Sequence, residues 1–160
     1  MTPNRKFIPN EPVRQTMRAN HAWAIDFMML DFAHRPLVML VVDVGTRRPL
    51  SATVSLAIAD DDVATLERLA RRAGYPQEIW VDRAREYHFR PIQSWSPLHR
   101  ITLIYGPSPQ TKSVAERLLR HLGGFLRDKH YPTLMELGHD IERWRQFRAA
   151  TTSTIRNVNW

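Results

Sequence analysis

Residues 21–30 read "HAWAIDFMML", an apolar run with one carboxylate, Asp26, in its middle. Trp23, Ala24, Ile25, Phe27, Met28, Met29 and Leu30 show no polar alternation. The run therefore predicts a strand covered on both faces, as at the centre of a layered sheet. An ionised carboxylate in such surroundings is costly unless it is paired, hydrogen-bonded or bound to a cation. Asp26 has to be explained together with the fold.

Two further apolar runs follow at short intervals, "LVMLVVDV" (residues 37–44) and "LSATVSL" (residues 50–56), set apart by the turn-like "DFAHRP" and "GTRRP". Connections this short predict an antiparallel meander. "ADDDVATLERLARRAG" then predicts a helix with Asp60 or Asp61 as its cap, Val63, Leu66, Leu69 and Ala70 on one face, and Gly74 at its end. "EIWVD" (residues 78–82) is a short strand closing on a second acid, Asp82, and the stretch beyond it, with Pro91 and Pro97, reads as irregular. "RITLIYG" is the fifth strand, closed by the loop "GPSPQ"; helices over residues 111–129 and 133–148 follow, the first weakened by Gly123 and Gly124. The order β-β-β-α-β-α-β-α-α predicts an α/β fold. Its mixed five-stranded sheet, with the first three strands antiparallel, is flanked by helices.

Residues 1–20 carry three prolines together with Arg5, Lys6, Arg14 and Arg18, and are expected to form an extended basic arm. Residues 21–150 form the core and residues 151–160 a tail. Lysine and arginine number 23 against 16 acids, a net charge of +7, which directs the surface towards polyanions such as nucleic acid. The absence of cysteine excludes disulfides and cysteine-based zinc modules and suits a reducing compartment. No apolar run approaches the roughly 18 residues of a membrane span. With no apolar core in "MTPNRKFIPNEP", a cytoplasmic location and no membrane partner are expected.

Three carboxylates stand out by position: Asp26 within the first strand, Asp82 at the end of the fourth, and Glu116 early in the helix after the fifth. If the first and fourth strands are neighbours, Asp26 and Asp82 converge near one sheet edge and the helix can bring Glu116 over them. Oxygen-rich clusters of this kind suit Mg²⁺ or Mn²⁺, hard cations held by carboxylates and substrate phosphates. Asp43, ending an apolar run before "GTRRP", is better read as a turn residue, and Asp60, Asp61 and Asp62 as helix caps. Lys112, Glu116 and Arg120 fall at i, i+4 and i+8 on one helix face, which reads either as a solvated ion-pair stripe or as cations beside a metal-binding carboxylate. The histidines show no ligand spacing, and the tryptophans are expected mostly in the core.

The segments "WAID" (residues 23–26), "VVDVGTRRPL" (41–50), "VDRAREY" (81–87) and "SPQTKSVAER" (108–117), in this order, resemble the catalytic core of DDE transposases and retroviral-type integrases, most closely those of bacterial insertion sequences. The resemblance covers residues 20–130. It implies a ribonuclease-H-like fold and a catalytic, metal-binding triad of Asp26, Asp82 and Glu116, with two Mg²⁺ or Mn²⁺ ions when DNA is bound. Asp26 and Asp82 would share one ion and Asp26 and Glu116 the other. DNA would be contacted by Lys112, Ser113, Arg117 and Arg120. The implied activity is metal-dependent polynucleotidyl transfer, the cutting or joining of DNA phosphodiesters during transposition, in a bacterial cytoplasm and on the nucleoid when bound. Homo-oligomers and a separate DNA-recognition polypeptide are the protein partners it suggests.

The chain departs from the pattern at several points. The gap between Asp82 and Glu116 is 33 residues (116 − 82 − 1), slightly short; Ala84 stands where the family often has glycine, and Lys112 where it often has asparagine. The aromatic, Asn and Arg-Pro-His signature common near the end of these cores is missing from "RQFRAATTSTIRNVNW". These departures motivate a second reading, a shortened or repurposed core that binds DNA or a partner without productive catalysis. A third is a structure-selective nuclease of the same fold.

Overall fold

Strand β1 (Ala22–Met29) is the middle of the sheet: β2 (Leu37–Asp43) lies antiparallel on one side and β4 (Glu78–Val81) parallel on the other. β3 (Pro49–Ser55) pairs antiparallel with β2 and β5 (Thr102–Tyr105) parallel with β4, giving the order β3-β2-β1-β4-β5. The antiparallel meander and the mixed five-stranded sheet are thus as the spacing of the apolar runs requires. The computed structural model describes residues 17–56, 61–82, 90–106 and 109–156, the side chains at positions 61, 109–113 and 153–156 excepted. Arg5, Lys6 and Arg14 of the expected arm, Asp60, Ala84 and the end of the expected tail lie outside the described residues.

Strand alternation sorts the side chains into two layers. Trp23, Ile25, Phe27, Met39, Val41, Ile79 and Val81 face helices α1 (Asp61–Ala73) and α2 (Arg90–Leu98), where Leu66, Leu69, Ile92 and Trp95 complete a core. Val38, Leu40, Val42 and Ala52 face α3 (Pro109–Leu126) and α4 (Leu134–Arg156), packing on Leu118, Leu119, Leu122, Ile141 and Trp144. Trp23, Trp95 and Trp144 are buried in these layers, as expected. α3 runs over β1 and β2, and α4 over β3.

Three expectations change. β1 is buried on both faces only through Ala22–Ile25, the part that is also paired on both edges, because β4 ends at Val81. Past that point β1 has β2 alone for a neighbour; Asp26 is half-buried and Met29 is exposed. Secondly, the segment with two prolines, read as irregular although the element order holds a helix between the fourth and fifth strands, is itself that helix, α2. Pro91 sits in the first turn, where a missing N–H breaks no bond, and Pro97 in the last, just before Arg100 turns left-handed (φ 56°) and Ile101 N–H closes on the Ser96 carbonyl. Thirdly, α4 continues through residues 151–156 of the expected tail. Its threonines are accommodated by hydroxyl bonds to carbonyls four residues back, Thr151 to Phe147 (2.8 Å) and Thr152 to Arg148 (2.9 Å). Gly123 and Gly124 do not interrupt α3.

The end of the basic arm is tied to the sheet. A Cβ at Gly45 would stand 2.3 Å from the Arg18 carbonyl oxygen, so only glycine lets the two backbones pass. Asn20 continues the anchor: its backbone N–H donates to Asp43, and its side chain accepts from Trp23 Nε1 (2.7 Å) and donates to the carbonyls of Ala73 and Gly74 at the end of α1.

Candidate metal and nucleic-acid site

The pairing of β1 with β4 decides where two of the three carboxylates go. Ile25 stands opposite Val81, so the next residues, Asp26 and Asp82, leave the ladder side by side. Neighbouring strands run about 4.8 Å apart. Alternation then sets their direction. Ile25, Phe27, Ile79 and Val81 belong to the α1–α2 layer, so Asp26, like its partner Leu40, projects to the other face, the one that carries α3, and Asp82 follows Val81 directly past the end of β4. They occupy the notch at the carboxyl end of β4, where β1 outruns its neighbour; carboxyl ends of parallel strands are where open α/β sheets place ligands. Both side chains are half-buried, and Asp26 Oδ1 also accepts from the Phe27 N–H at 2.8 Å.

Glu116 reaches this face by a different route. α3 buries Ala115, Leu118, Leu119 and Leu122 against the sheet, which turns Glu116, Arg117 and Arg120 outward, and all three are exposed. Lys112 and Ser113 are on the same helix, their side chains outside the described residues. Among the described residues, no three of His, Asp and Glu converge to hold a metal ion. The fold thus sets Asp26 and Asp82 at the same level of neighbouring strands and Glu116 on the flank of the overlying helix, with no closed three-carboxylate group among the described residues. Two adjacent hard oxygen donors still fit one Mg²⁺ or Mn²⁺ whose other positions fall to water and phosphate oxygens.

Asp43 is the structural acid that its place before a turn suggested. It is buried; Oδ2 accepts from the Asn20 N–H and Oδ1 from the Gly45 N–H, both at 2.9 Å, which fixes the β2–β3 turn and the end of the arm. Asp62 is buried in the first turn of α1. Two groupings had no sequence signal. Trp80, opposite Ala24 and two residues before Asp82, shares the face of the aspartate pair, its indole N–H held by Glu78 at 2.9 Å. On the opposite layer Glu67 accepts from Tyr75 OH (2.7 Å), Arg71 Nε (2.8 Å) and Trp95 Nε1 (2.9 Å), with His99 Nε2 3.3 Å away. These donors hold its carboxyl down to about 2, and the group clamps α1 to α2.

No family model matches the chain. A curated relative, the insertion element IS407 uncharacterized 31.7 kDa protein of Burkholderia multivorans, is 29% identical over 133 residues, which are 79% of this chain and 48% of the relative. The chain therefore spans about half the length of the relative it matches. Among solved structures, the catalytic core domain of HTLV-2 integrase in complex with magnesium (trimeric form) superposes with a TM-score of 0.57 at 13% identity, over 85% of this chain and 86% of that one. The simian T-cell lymphotropic virus intasome in complex with PP2A regulatory subunit B56 gamma gives 0.57 at 16% identity, over 84% of this chain and 52% of that chain. The fold is that of integrase catalytic cores. The likeness to integrase cores is one of fold, and the likeness in sequence is to an insertion-element protein.

Proposed function

We propose that this chain is the metal-dependent polynucleotidyl-transferase core of a bacterial insertion-sequence transposase, a cytoplasmic protein that cuts or joins DNA phosphodiesters. The observation that carries the proposal is the β1–β4 register, which sets Ile25 opposite Val81 and so brings Asp26 and Asp82 to the same level at the carboxyl end of β4. Asp26 and Asp82 would hold Mg²⁺ or Mn²⁺, with Glu116 joining them when a DNA strand is present. A cation held by these residues would supply neutralisation of the phosphodiester's charge and activation of the attacking oxygen. The residues of the chain supply the rest. Exposed Arg117 and Arg120, with Lys112 and Ser113 earlier on α3, bind the phosphate backbone beside Glu116 and set its register. The half-buried aspartates fix the reacting phosphate relative to that track, so that positioning and electrostatics provide the acceleration. Protein partners would be further copies of the chain and a separate DNA-recognition polypeptide.

The test is Mg²⁺- or Mn²⁺-dependent nicking and strand joining on plasmid and oligonucleotide duplexes, comparing the unaltered protein with Asp82→Asn and Glu116→Gln. Loss of both reactions in both variants, with DNA binding retained, is the expected result. A second reading, a core that binds DNA or a partner without catalysis, is favoured by the lack of a closed three-carboxylate group among the described residues. Calorimetry separates the two: DNA binding without any Mn²⁺ binding, even with DNA present, supports the second.

A further inference from the structure

α3 lies over β1 and β2 and α4 over β3, and between the two helices a groove of about 420 Å³ opens on the outside of the molecule. The function proposed above does not use it. His121 and Phe125 line it from α3, and Arg143, Trp144, Phe147 and Arg148 from α4. Its chemistry is divided. The floor is aromatic, with Trp144 buried and Phe125 half-buried, while Phe147 at 68% exposure stands in water, about three turns from the exposed Leu134 and Met135 at the start of the same helix. The rim is basic. Arg143 and Arg148 flank Phe147, His121 faces them, and Lys129 places its ammonium 3.4 Å from the centroid of the Phe125 ring. None of the six lining residues is a carboxylate. Asp140, which pairs with Lys129 (3.1 Å) and Arg143 (3.2 Å), offsets the charge at one end only.

We propose that this groove docks an amphipathic helix of another protein, one whose apolar ridge is flanked by aspartate and glutamate. A helical ridge with apolar residues at i, i+3 or i+4, and i+7 fits a groove between two helices, as in other helix-in-groove recognition. Charge complementarity selects the acidic flanks. Two other occupants fit less well. A run of nucleic-acid bases needs successive open ring faces to stack on, and here Trp144 is buried and the Phe125 ring is capped by Lys129, which leaves Phe147 as the one open phenyl or indole ring among the groove's lining residues. A second copy docked isologously would set Arg143 and Arg148 against the same arginines, a like-charge contact.

The inference is independent of catalysis and is tested without it. The probe is a fluorescein-labelled synthetic helix with a leucine ridge between glutamates; two control peptides carry lysine for glutamate or serine for leucine. We expect the acidic helix alone to bind. Phe147→Glu and Arg148→Glu should each weaken it at least about tenfold, as for a groove's central anchor, with melting curves close to the unaltered protein because both substitutions fall outside the core. Equal binding of the lysine peptide, or no binding of the acidic one, overturns the proposal. A single-stranded oligonucleotide whose affinity, unlike the peptide's, falls with Phe147→Glu would assign the groove to nucleic acid instead. A dimer in sedimentation that Phe147→Glu dissociates would assign it to a second copy.

Discussion

Asp26 and Asp43 sit on adjacent strands, yet their carboxylates answer different needs. Asp43 is tied to backbone amides of Asn20 and Gly45. Asp43→Ala should therefore destabilise the protein by about 1–3 kcal/mol, measured by urea unfolding, because it removes a buried carboxylate that holds two half-buried backbone N–H groups of the turn and the arm. Asp26 stands one residue past the Ile25–Val81 pair, as Asp82 does on the neighbouring strand. If the two carboxylates share a cation as proposed, removing one of the two charges relieves repulsion in its absence, so Asp26→Asn should leave the metal-free protein as stable or raise its melting temperature, while abolishing the proposed metal-dependent DNA chemistry. A structural acid paired with a buried cation behaves oppositely, losing about 3–5 kcal/mol when its charge is removed. Scanning calorimetry in chelator-containing buffer reads the sign, and a large fall in melting temperature would remove the basis of the metal site.

Helix α2 shows how an element can be secured by groups that no local pattern reveals. Glu67 on α1 and Trp95 on α2 are 28 residues apart in sequence, and with Tyr75, Arg71 and His99 they form one clamp. Bonds from Tyr75, Arg71 and Trp95 depress the Glu67 carboxyl from 4.5 to about 2 in the folded protein. A carboxyl lowered on folding contributes stability that is fully present above the unfolded value and lost as pH falls towards the folded one. The difference in melting temperature between the unaltered protein and Glu67→Gln should therefore be constant above about pH 5 and shrink between pH 4.5 and 2. The five strands and α1, α3 and α4 were legible because apolar runs and periodicity carry them. α2 was hidden by Pro91 and Pro97, whose helix-breaking effect depends on position within the turn. The last turns of α4 were hidden by threonines whose hydroxyls bond back to the helix. At the site, Asp26 was conspicuous as a charge in an apolar strand. The notch around it was not, since where β4 stops relative to β1 is a matter of register.

At the scale of the molecule, a net charge of +7 on 160 residues with Arg117 and Arg120 exposed along α3 would make the proposed DNA binding a counterion-release process. Affinity for a duplex of arbitrary sequence should fall linearly on a double-logarithmic salt plot, with a slope near −0.9 for each phosphate neutralised. Replacing Arg117 or Arg120 by glutamine should flatten that slope by about 1, measured by fluorescence anisotropy. A slope near zero would leave the charge a matter of solubility. The pairing of β1 also sets an order in time. Its antiparallel partner β2 follows within residues, but its parallel partner β4 begins only at Glu78. During synthesis at about 5–20 residues per second, the growing chain holds a hairpin whose central strand has one bare edge for several seconds. An edge of that kind invites pairing with other chains until it is covered. Unfinished products would thus be the aggregation-prone form of this protein, and any product ending before Asp82 would lack the aspartate pair altogether.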